Sequence, residues 1–289
     1  MNVHARVHPV HPALRGLVTG GYHLGSELLE PGEVIAVPAG RGVSLNVNIG
    51  VAPAGFPSAY AVGPGHLYHY GAGEAPKDGL SAPPVRVDWV GLRFSPLGAY
   101  VLLGGLLGEL SGTIVDLGDL FGAAGRVLAD RFRGTGTPAA HFALLDDFLL
   151  RRAEAGPRPN PEVVMAWHRL TRSAGRVPLG GLAAEAGWSR DHFGRTFRRQ
   201  LGMTPKSAAR LIRLGHLLGR AEPGRPRWTD LAAEHGFCDQ PHLNRDMREF
   251  MGVSPATYFS RLRPCGCLVA SVPERGASDT SKTTALQGA

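Results

Sequence analysis

LAAEAGW (residues 182–188) and LAAEHGF (residues 231–237) are near-copies of one another within a single chain. Five of the seven letters are identical, and Trp188 of the first copy is matched by another aromatic residue, Phe237, in the second. The likeness continues further along the chain, where one inserted residue changes the offset to 50 and pairs Gly202 with Gly252. The sequence therefore predicts two copies of one structural unit.

Each copy predicts two short helices separated by a turn. Gly187 and Gly236 follow the first helix, and glycine supplies the positive φ that a tight turn requires. The second helix of each copy has apolar residues at helical spacing on one face and polar residues on the other. Its inward residues are Phe193 and Phe197 in the first copy and Leu243, Met247 and Phe250 in the second. This pattern is typical of a helix-turn-helix, in which a glycine-containing turn joins a first helix to a second helix with a polar outer face.

The positive charge of the chain is concentrated around this repeat. Residues 1–160 contain 12 Lys and Arg against 13 Asp and Glu, a net charge of −1. Residues 161–263 contain 17 against 9, a net charge of +8. A basic surface confined to about a hundred residues is expected of a module that binds a polyanion such as DNA.

The remainder of the chain predicts an α+β protein. Short apolar runs with turn residues between them predict strands at 33–38, 43–49 and 85–94, and apolar periodicity predicts helices at 96–110, 116–132 and 138–153. We expect residues 1–153 to form a β-rich sensor or dimerisation domain with C-terminal helices, followed by a proline-containing linker at 154–161. Residues 162–263 should form an all-α domain of two helix-turn-helix units that a long helix joins, and residues 264–289 a disordered polar tail.

Residues 175–263 resemble the DNA-binding domain of the AraC family of bacterial transcription regulators. The strongest match is GFCDQPHLNRDMREFMGVSPATYFSRLR (236–263), and Arg213-Leu214 in TPKSAARLIRLGHLLGRA (204–221) falls on the Arg-Leu pair of the family's joining helix. Ala208 and Met247 depart from the bulkier residues that are common there, which affects packing detail only. The resemblance implies sequence-specific binding to double-stranded DNA through recognition helices at 189–201 and 240–251.

Several polar residues on these helices are candidates for contact with DNA. Ser189 can cap the first recognition helix. By the geometry of the family, the positions of Asp191, Gly194 and Arg195 face base edges, and an arginine can bond bidentately to guanine. Asp191 either accepts from a cytosine amine or holds Arg195 one turn away. Gly194 offers no side chain, and the four candidates of the second unit can instead be solvated or contact phosphate. The base-contact candidates are Arg190, Asp191, Gly194, Arg195, Gln240, His242, Asn244 and Arg245, and the phosphate-contact candidates are Arg198, Arg199 and Arg248.

Two units joined by a helix predict a particular footprint on DNA. Recognition helices that enter successive segments of the major groove on one face of the duplex lie roughly 34 Å apart. That geometry predicts a site of about 20 bp for a single chain. If the helices lie closer than one turn, the DNA must bend, at a cost of a few kcal/mol.

Residues 10–153 resemble, less specifically, the N-terminal sensor region of some actinobacterial AraC-like regulators, which implies effector binding or dimerisation. Tyr68, Tyr70, Trp89 and Phe94 are candidates for an effector pocket, although each can equally be a core residue. The helix at 138–153 can form a dimer through its apolar stripe or pack on its own domain. DNA is the predicted partner; a small-molecule effector, RNA polymerase and a second copy of the chain are further candidates.

Other chemistry has little support in the sequence. We predict no cofactor and no metal site, because His4, His8 and His11 lie on a proline-interrupted terminus and His66 and His69 lack a nearby carboxylate. Cys265 and Cys267 form a CxC that is incomplete as a metal or redox site.

Three classes of function remain. We favour a transcription regulator without enzymatic activity, in a reducing bacterial cytoplasm and associated with the nucleoid. The alternatives are a non-specific DNA-binding protein and an enzyme domain targeted to DNA. A cysteine alkyl acceptor is excluded from residues 1–160, which contain no cysteine. We see no membrane span or secretory signal in the sequence.

Overall fold

A computed structural model gives the fold of the chain. It describes residues 6–31, 33–50, 52, 56–65, 67–71, 84–105, 107–110, 113–221, 227–262 and 268–269. The N-terminal part is built from antiparallel sheets and covering helices, and the C-terminal part is helical, so the protein belongs to the α+β class.

Nine strands occur in the described residues. They are β1 (Arg6–His8), β2 (Val18–Leu29), β3 (Val34–Val37), β4 (Ser44–Asn48), β5 (Ala59–Val62), β6 (Tyr68–Gly71), β7 (Val85–Phe94), β8 (Ile114–Asp116) and β9 (Leu268–Val269). Six of them form one antiparallel sheet in the order β1-β2-β7-β4-β5-β8, and the other three form a smaller sheet in the order β6-β3-β9. The three predicted strands are confirmed as β3, β4 and β7.

Twelve α-helices follow or separate these strands in the described part of the chain. In the N-terminal part they are α1 (Pro96–Leu102), α2 (Leu107–Leu110), α3 (Leu117–Phe121), α4 (Ala123–Arg133) and α5 (Pro138–Ala155). In the C-terminal part they are α6 (Pro161–Arg172), α7 (Leu179–Glu185), α8 (Arg190–Leu201), α9 (Pro205–Leu218), α10 (Trp228–Glu234), α11 (Gln240–Met251) and α12 (Tyr258–Arg261). Short 3-10 turns lie at Pro12–Leu14 and Pro255–Thr257.

Side chains alternate along each strand of the six-stranded sheet, so that they point to both of its faces. Both faces are covered by other parts of the chain. On β7, Val90, Leu92 and Phe94 point into a core shared with α1, α4 and α5. Val87 and Trp89 point the other way and pack with residues of β2 and β3. The small sheet therefore lies against one face of the large sheet, and the helices cover the opposite face.

Helix α5 packs on its own domain. Leu145, Phe148 and Leu149 are buried in the core beneath the large sheet. Phe142 stacks on Tyr22 of β2, with ring centroids 5.1 Å apart. The apolar stripe that suggested a dimerisation surface is thus largely covered within the chain itself.

The C-terminal helices share a single hydrophobic core. Phe193 and Phe197 of α8 pack into it together with Leu243 and Phe250 of α11, and Leu214 of the connecting helix α9 belongs to the same core. This core confirms the inward residues predicted from the repeat. Because both units bury their apolar faces in one cluster, they form one continuous body.

Two predicted helical segments are interrupted, and the tail is partly ordered. The segment 96–110 divides into α1 and α2 because Gly104 and Gly105 both adopt positive φ, at 70° and 89°, which an α-helix cannot contain. The segment 116–132 divides into α3 and α4 around Gly122. The prediction of a disordered tail from residue 264 is wrong at Leu268–Val269, which form β9 because Leu268 is fully buried and the strand pairs with the free edge of β3.

Candidate nucleic-acid interface

The two copies of the repeat fold into equivalent helix-turn-helix units. In the first, α7 is followed by a turn containing Gly187 (φ 68°) and then by α8; in the second, α10 is followed by a turn containing Gly236 (φ 74°) and then by α11. The Ser189 hydroxyl accepts from His192 N–H at 3.2 Å, as predicted for an N-cap. Asp239 makes the equivalent bond to His242 N–H at 2.7 Å.

The outer faces of α8 and α11 are exposed and basic. Arg195 and Arg245 occupy equivalent positions, and both are exposed. The three phosphate-contact candidates, Arg198, Arg199 and Arg248, are also exposed, as are Arg190 and Gln240. Gly194, His242 and Asn244 are half-buried at the edges of these faces. A surface of this kind offers several cations to a phosphate backbone and a few side chains to base edges.

The structure brings Asp191 and Arg195 together on the surface of α8. Their carboxylate and guanidinium form an ion pair one turn apart, with 76% and 67% of the side chains exposed. This arrangement matches the second of the two roles considered for Asp191, that of holding Arg195. Arg190 lies over the preceding helix, since a side chain added at Gly180 would meet its guanidinium at 3.2 Å.

A partly buried ion-pair network that the sequence did not reveal joins α9 to the second unit. Arg210 of α9 bonds Asp246 Oδ1 at 2.6 Å and Glu249 Oε2 at 2.5 Å, both on α11. The hydrogen bond to Glu249, reinforced by Asp246, raises the pKa of Arg210 despite its partial burial. Asp246 is fully buried, and its Oδ2 has no hydrogen-bond partner among the described residues. His242 Nε2 lies 3.9 Å from that oxygen.

Arg213 ties the connecting helix to both units. Its guanidinium donates to Gly236 O at 3.0 Å, in the turn of the second unit, and to Gly175 O at 3.1 Å, just ahead of the first. The same group lies 5.7 Å from the ring centre of Phe237. Helix α9 therefore fixes the orientation of the units through polar contacts as well as through the shared core.

The four effector-pocket candidates do not lie together. Trp89 faces the space between the two sheets, and Tyr68 is buried on the inner side of the small sheet with Val37. Phe94 lies on the opposite face of β7, in the core beneath the helices, and so does not share a pocket with Trp89. The side chain of Tyr70 lies outside the described part of the structure, as do His4, His66, Cys265 and Cys267.

Comparison with known families identifies the C-terminal domain. Residues 182–261 match the family described as "Helix-turn-helix domain". These residues form a double helix-turn-helix domain of the AraC type. It is a DNA-binding domain, and it contains every candidate DNA-contact residue named above.

Curated relatives match the same region. The HTH-type transcriptional regulator YbfI of Bacillus subtilis is 38% identical over 89 residues, which are 30% of this chain and 32% of that protein. The invasion protein InvF of Salmonella typhimurium is 35% identical over 86 residues, 30% of this chain and 40% of that protein. The match thus spans between about a third and two fifths of these relatives' own lengths.

Solved structures resemble the chain more loosely. ToxT of Vibrio cholerae aligns with a TM-score of 0.46 at 9% identity, over 83% of this chain and 98% of that one. The C-terminal domain of AraT, a response regulator of Geobacillus stearothermophilus, aligns with a TM-score of 0.33 at 21% identity, over 36% and 88%. Within the described residues of the present protein, no helix is long and apolar enough to cross a membrane.

Proposed function

We propose that this protein is a transcription regulator that recognises a specific DNA sequence with α8 and α11. The observation that carries the proposal is the equivalence of the two helices. Both are capped at the N-terminus by a polar side chain, both expose an arginine at the same position, and both are fixed to α9. Two such helices joined by α9 can enter successive segments of the major groove.

Arg195 and Arg245 are the proposed base-reading residues. An exposed guanidinium in the first turns of a recognition helix can form two hydrogen bonds to guanine O6 and N7. Arg198, Arg199 and Arg248 lie further along the helices, and we assign them to phosphate contacts, which add affinity without reading sequence. One relative that matches this domain, YbfI, is named an HTH-type transcriptional regulator, which supports a role in binding rather than in catalysis.

The proposal is tested with the full-length protein and a duplex selected from random DNA. We expect Arg195→Ala and Arg245→Ala each to lose about 1–3 kcal/mol of discrimination at particular base pairs. Arg199→Ala is the control, because it should weaken binding to all sequences alike and lower the salt dependence by about one phosphate contact. Fluorescence anisotropy on single-base variants of the duplex measures both effects. A wild-type protein that binds all duplexes equally would overturn the proposal and favour the non-specific alternative.

We further propose that the N-terminal domain senses a small apolar molecule between its two sheets. Trp89 packs on the inner face of the large sheet near Ile35 of β3, and Tyr68 packs on the inner face of the small sheet near Val37. Asn46 of β4 projects on the same side of the large sheet, and its Nδ2 is buried without a partner in the described structure. An unpaired amide beside aromatic side chains suits a ligand with an apolar body and one hydrogen-bond acceptor.

This second proposal predicts binding that depends on Trp89 and Asn46. The fluorescent probe 8-anilinonaphthalene-1-sulfonate has an aromatic body and acceptor oxygens, and we expect it to accept energy from Trp89 when bound. Trp89→Phe should remove that transfer, and Asn46→Leu should weaken binding about tenfold by leaving the acceptor unpaired, which corresponds to about 1.4 kcal/mol. Phe94→Leu, on the other face of β7, serves as the control. Equal binding by the wild type and Asn46→Leu, or energy transfer that persists unchanged in Trp89→Phe, would contradict the proposed site.

A further inference from the structure

One face of the small sheet β6-β3-β9 is turned toward the large sheet of the N-terminal domain, and its other face is turned toward the helix-turn-helix domain. On β3, Ile35 and Val37 point into the N-terminal domain and pack with residues of the large sheet. Ala36, between them, is buried in the core of the helix-turn-helix domain. Leu268, its partner on β9, is buried in the same core. Because side chains alternate along a strand, the same backbone serves both interiors.

The C-terminal end of α11 rests on this sheet. Ala39, just beyond β3, donates its N–H to Phe250 O at 2.8 Å. Gly252 ends α11 in the left-handed conformation, and a side chain added there would meet Leu67 Cδ2 at 3.1 Å and Ala36 Cβ at 3.9 Å. The helix end is thus held by a hydrogen bond and by close packing.

The C-terminal end of α8 is held by the same region of the N-terminal domain. Gly202 is the equivalent of Gly252 in the repeat and also has positive φ. A side chain added at Gly202 would meet Pro64 Cγ at 2.6 Å and Leu107 O at 2.9 Å. Pro64 lies only three positions before Leu67, so closely spaced residues contact the ends of both recognition helices.

A second contact secures α8 to the segment that joins the two parts of the chain. Asn160 N–H donates to Gln200 Oε1 at 3.0 Å, and Gln200 Nε2 donates back to Asn160 Oδ1. Gln200 is 1% exposed, and α1 and α2 pack against the same helix. The segment predicted as a linker is therefore bonded to the first recognition helix.

We propose that the small sheet couples the interior of the N-terminal domain to the spacing between α8 and α11, and so sets which separation of half-sites the protein accepts. The proposal rests on the proposed DNA reading by both helices. A change around Tyr68 or Val37 moves the backbone of β6 and β3. Leu67 and Ala36, on the other side of that backbone, move with it. The surface on which the C-terminal end of α11 packs is thereby displaced.

The coupling is tested first without DNA, by hydrogen exchange of the Ala39 amide in the full-length protein. Tyr68→Ala opens space on the inner side of the small sheet, and we expect it to speed exchange at Ala39 by about tenfold. Phe148→Ala is the matched control, since it truncates a buried aromatic residue on the opposite side of the large sheet. Unchanged protection of Ala39 in Tyr68→Ala would overturn the coupling, whether or not the protein reads DNA.

The consequence for DNA is tested with duplexes whose two half-sites are moved apart or together by 1–2 bp, which is about 3–7 Å along the axis. We expect the wild type to bind its preferred spacing about tenfold more tightly than the others. Leu67→Asp, or the milder Leu67→Ala, should reduce that preference to about threefold or less. Both variants should keep base discrimination inside each half-site. Leu28→Asp, at a surface position of β2, is the control. Variants at Leu67 that keep the wild-type spacing preference would overturn the inference, whereas loss of base discrimination in the wild type itself would count against the proposed function.

Discussion

Arg195 and Asp191 form an ion pair on the exposed face of α8, four residues apart. An exposed pair of this kind adds little to stability, so its effect is on where the guanidinium points and on local charge. The sequence predicted the Ser189 cap and offered this pairing as one of two roles for Asp191, because each depends only on residues within one helical turn. It left open which role Asp191 has, since the choice depends on side-chain conformation.

We expect Asp191→Asn to raise affinity for scrambled DNA and to lower discrimination at the base pair read by Arg195. The substitution removes a negative charge that opposes phosphate and frees the guanidinium to adopt other orientations. Anisotropy titrations on the selected and scrambled duplexes measure the change. Asp147→Asn is the matched control, because Asp147 forms the same type of pair with Arg151 in α5. Equal effects of the two substitutions would show that the pair on α8 has no particular role.

His23 of β2 gives a prediction about pH. Burial, assisted by the charge of Arg93, lowers the pKa of His23 below its usual value. His23 therefore takes up a proton at a higher pH in the unfolded chain than in the folded protein. Its contribution to the free energy of unfolding is complete above about pH 6.5 and declines as the pH falls below that value. His23→Gln should make the free energy of unfolding less dependent on pH between about 7 and 5. Urea titrations measure it, and an unchanged slope would rule out this contribution.

Among the helices and strands, α9 holds the two helix-turn-helix units together through Arg210 and Arg213. The sequence predicted the helix and its Arg-Leu pair but not the partners of Arg210. Asp246 and Glu249 lie 36 and 39 positions away, and no local pattern links them to α9. The same limit applies to β9, whose pairing with β3 joins distant parts of the chain.

We expect Arg210→Ala to destabilise the protein by about 3–5 kcal/mol, because it leaves the buried Asp246 carboxylate without its cation. Arg210→Ala with Asp246→Asn should restore part of that loss, since the amide carries no charge. Thermal and urea unfolding of the single and double variants measure the coupling between the two residues. Losses that simply add would contradict a direct interaction between them.

At the scale of the whole molecule, the two parts of the chain are joined by more than a linker. Predicted strands and helices gave the α+β class and the two helix-turn-helix units, because apolar periodicity and an internal repeat are visible in one sequence. The contacts of α11 with the small sheet, and of α8 with Pro64 and Leu107, were not predictable. It depends on non-local packing of small residues such as Ala36, Gly202 and Gly252, which carry no distinctive signal of their own.

The most direct test of the account is selection of random duplex DNA by the full-length protein. If α8 and α11 read successive segments of the major groove, the selected duplexes should share two conserved blocks with centres about 10–10.5 bp apart, within a site of about 20 bp. Binding should fall with salt, and the two blocks should be weakened separately by Arg195→Ala and Arg245→Ala. Selection that enriches no sequence, or a single block that neither substitution affects, would contradict recognition by two helices.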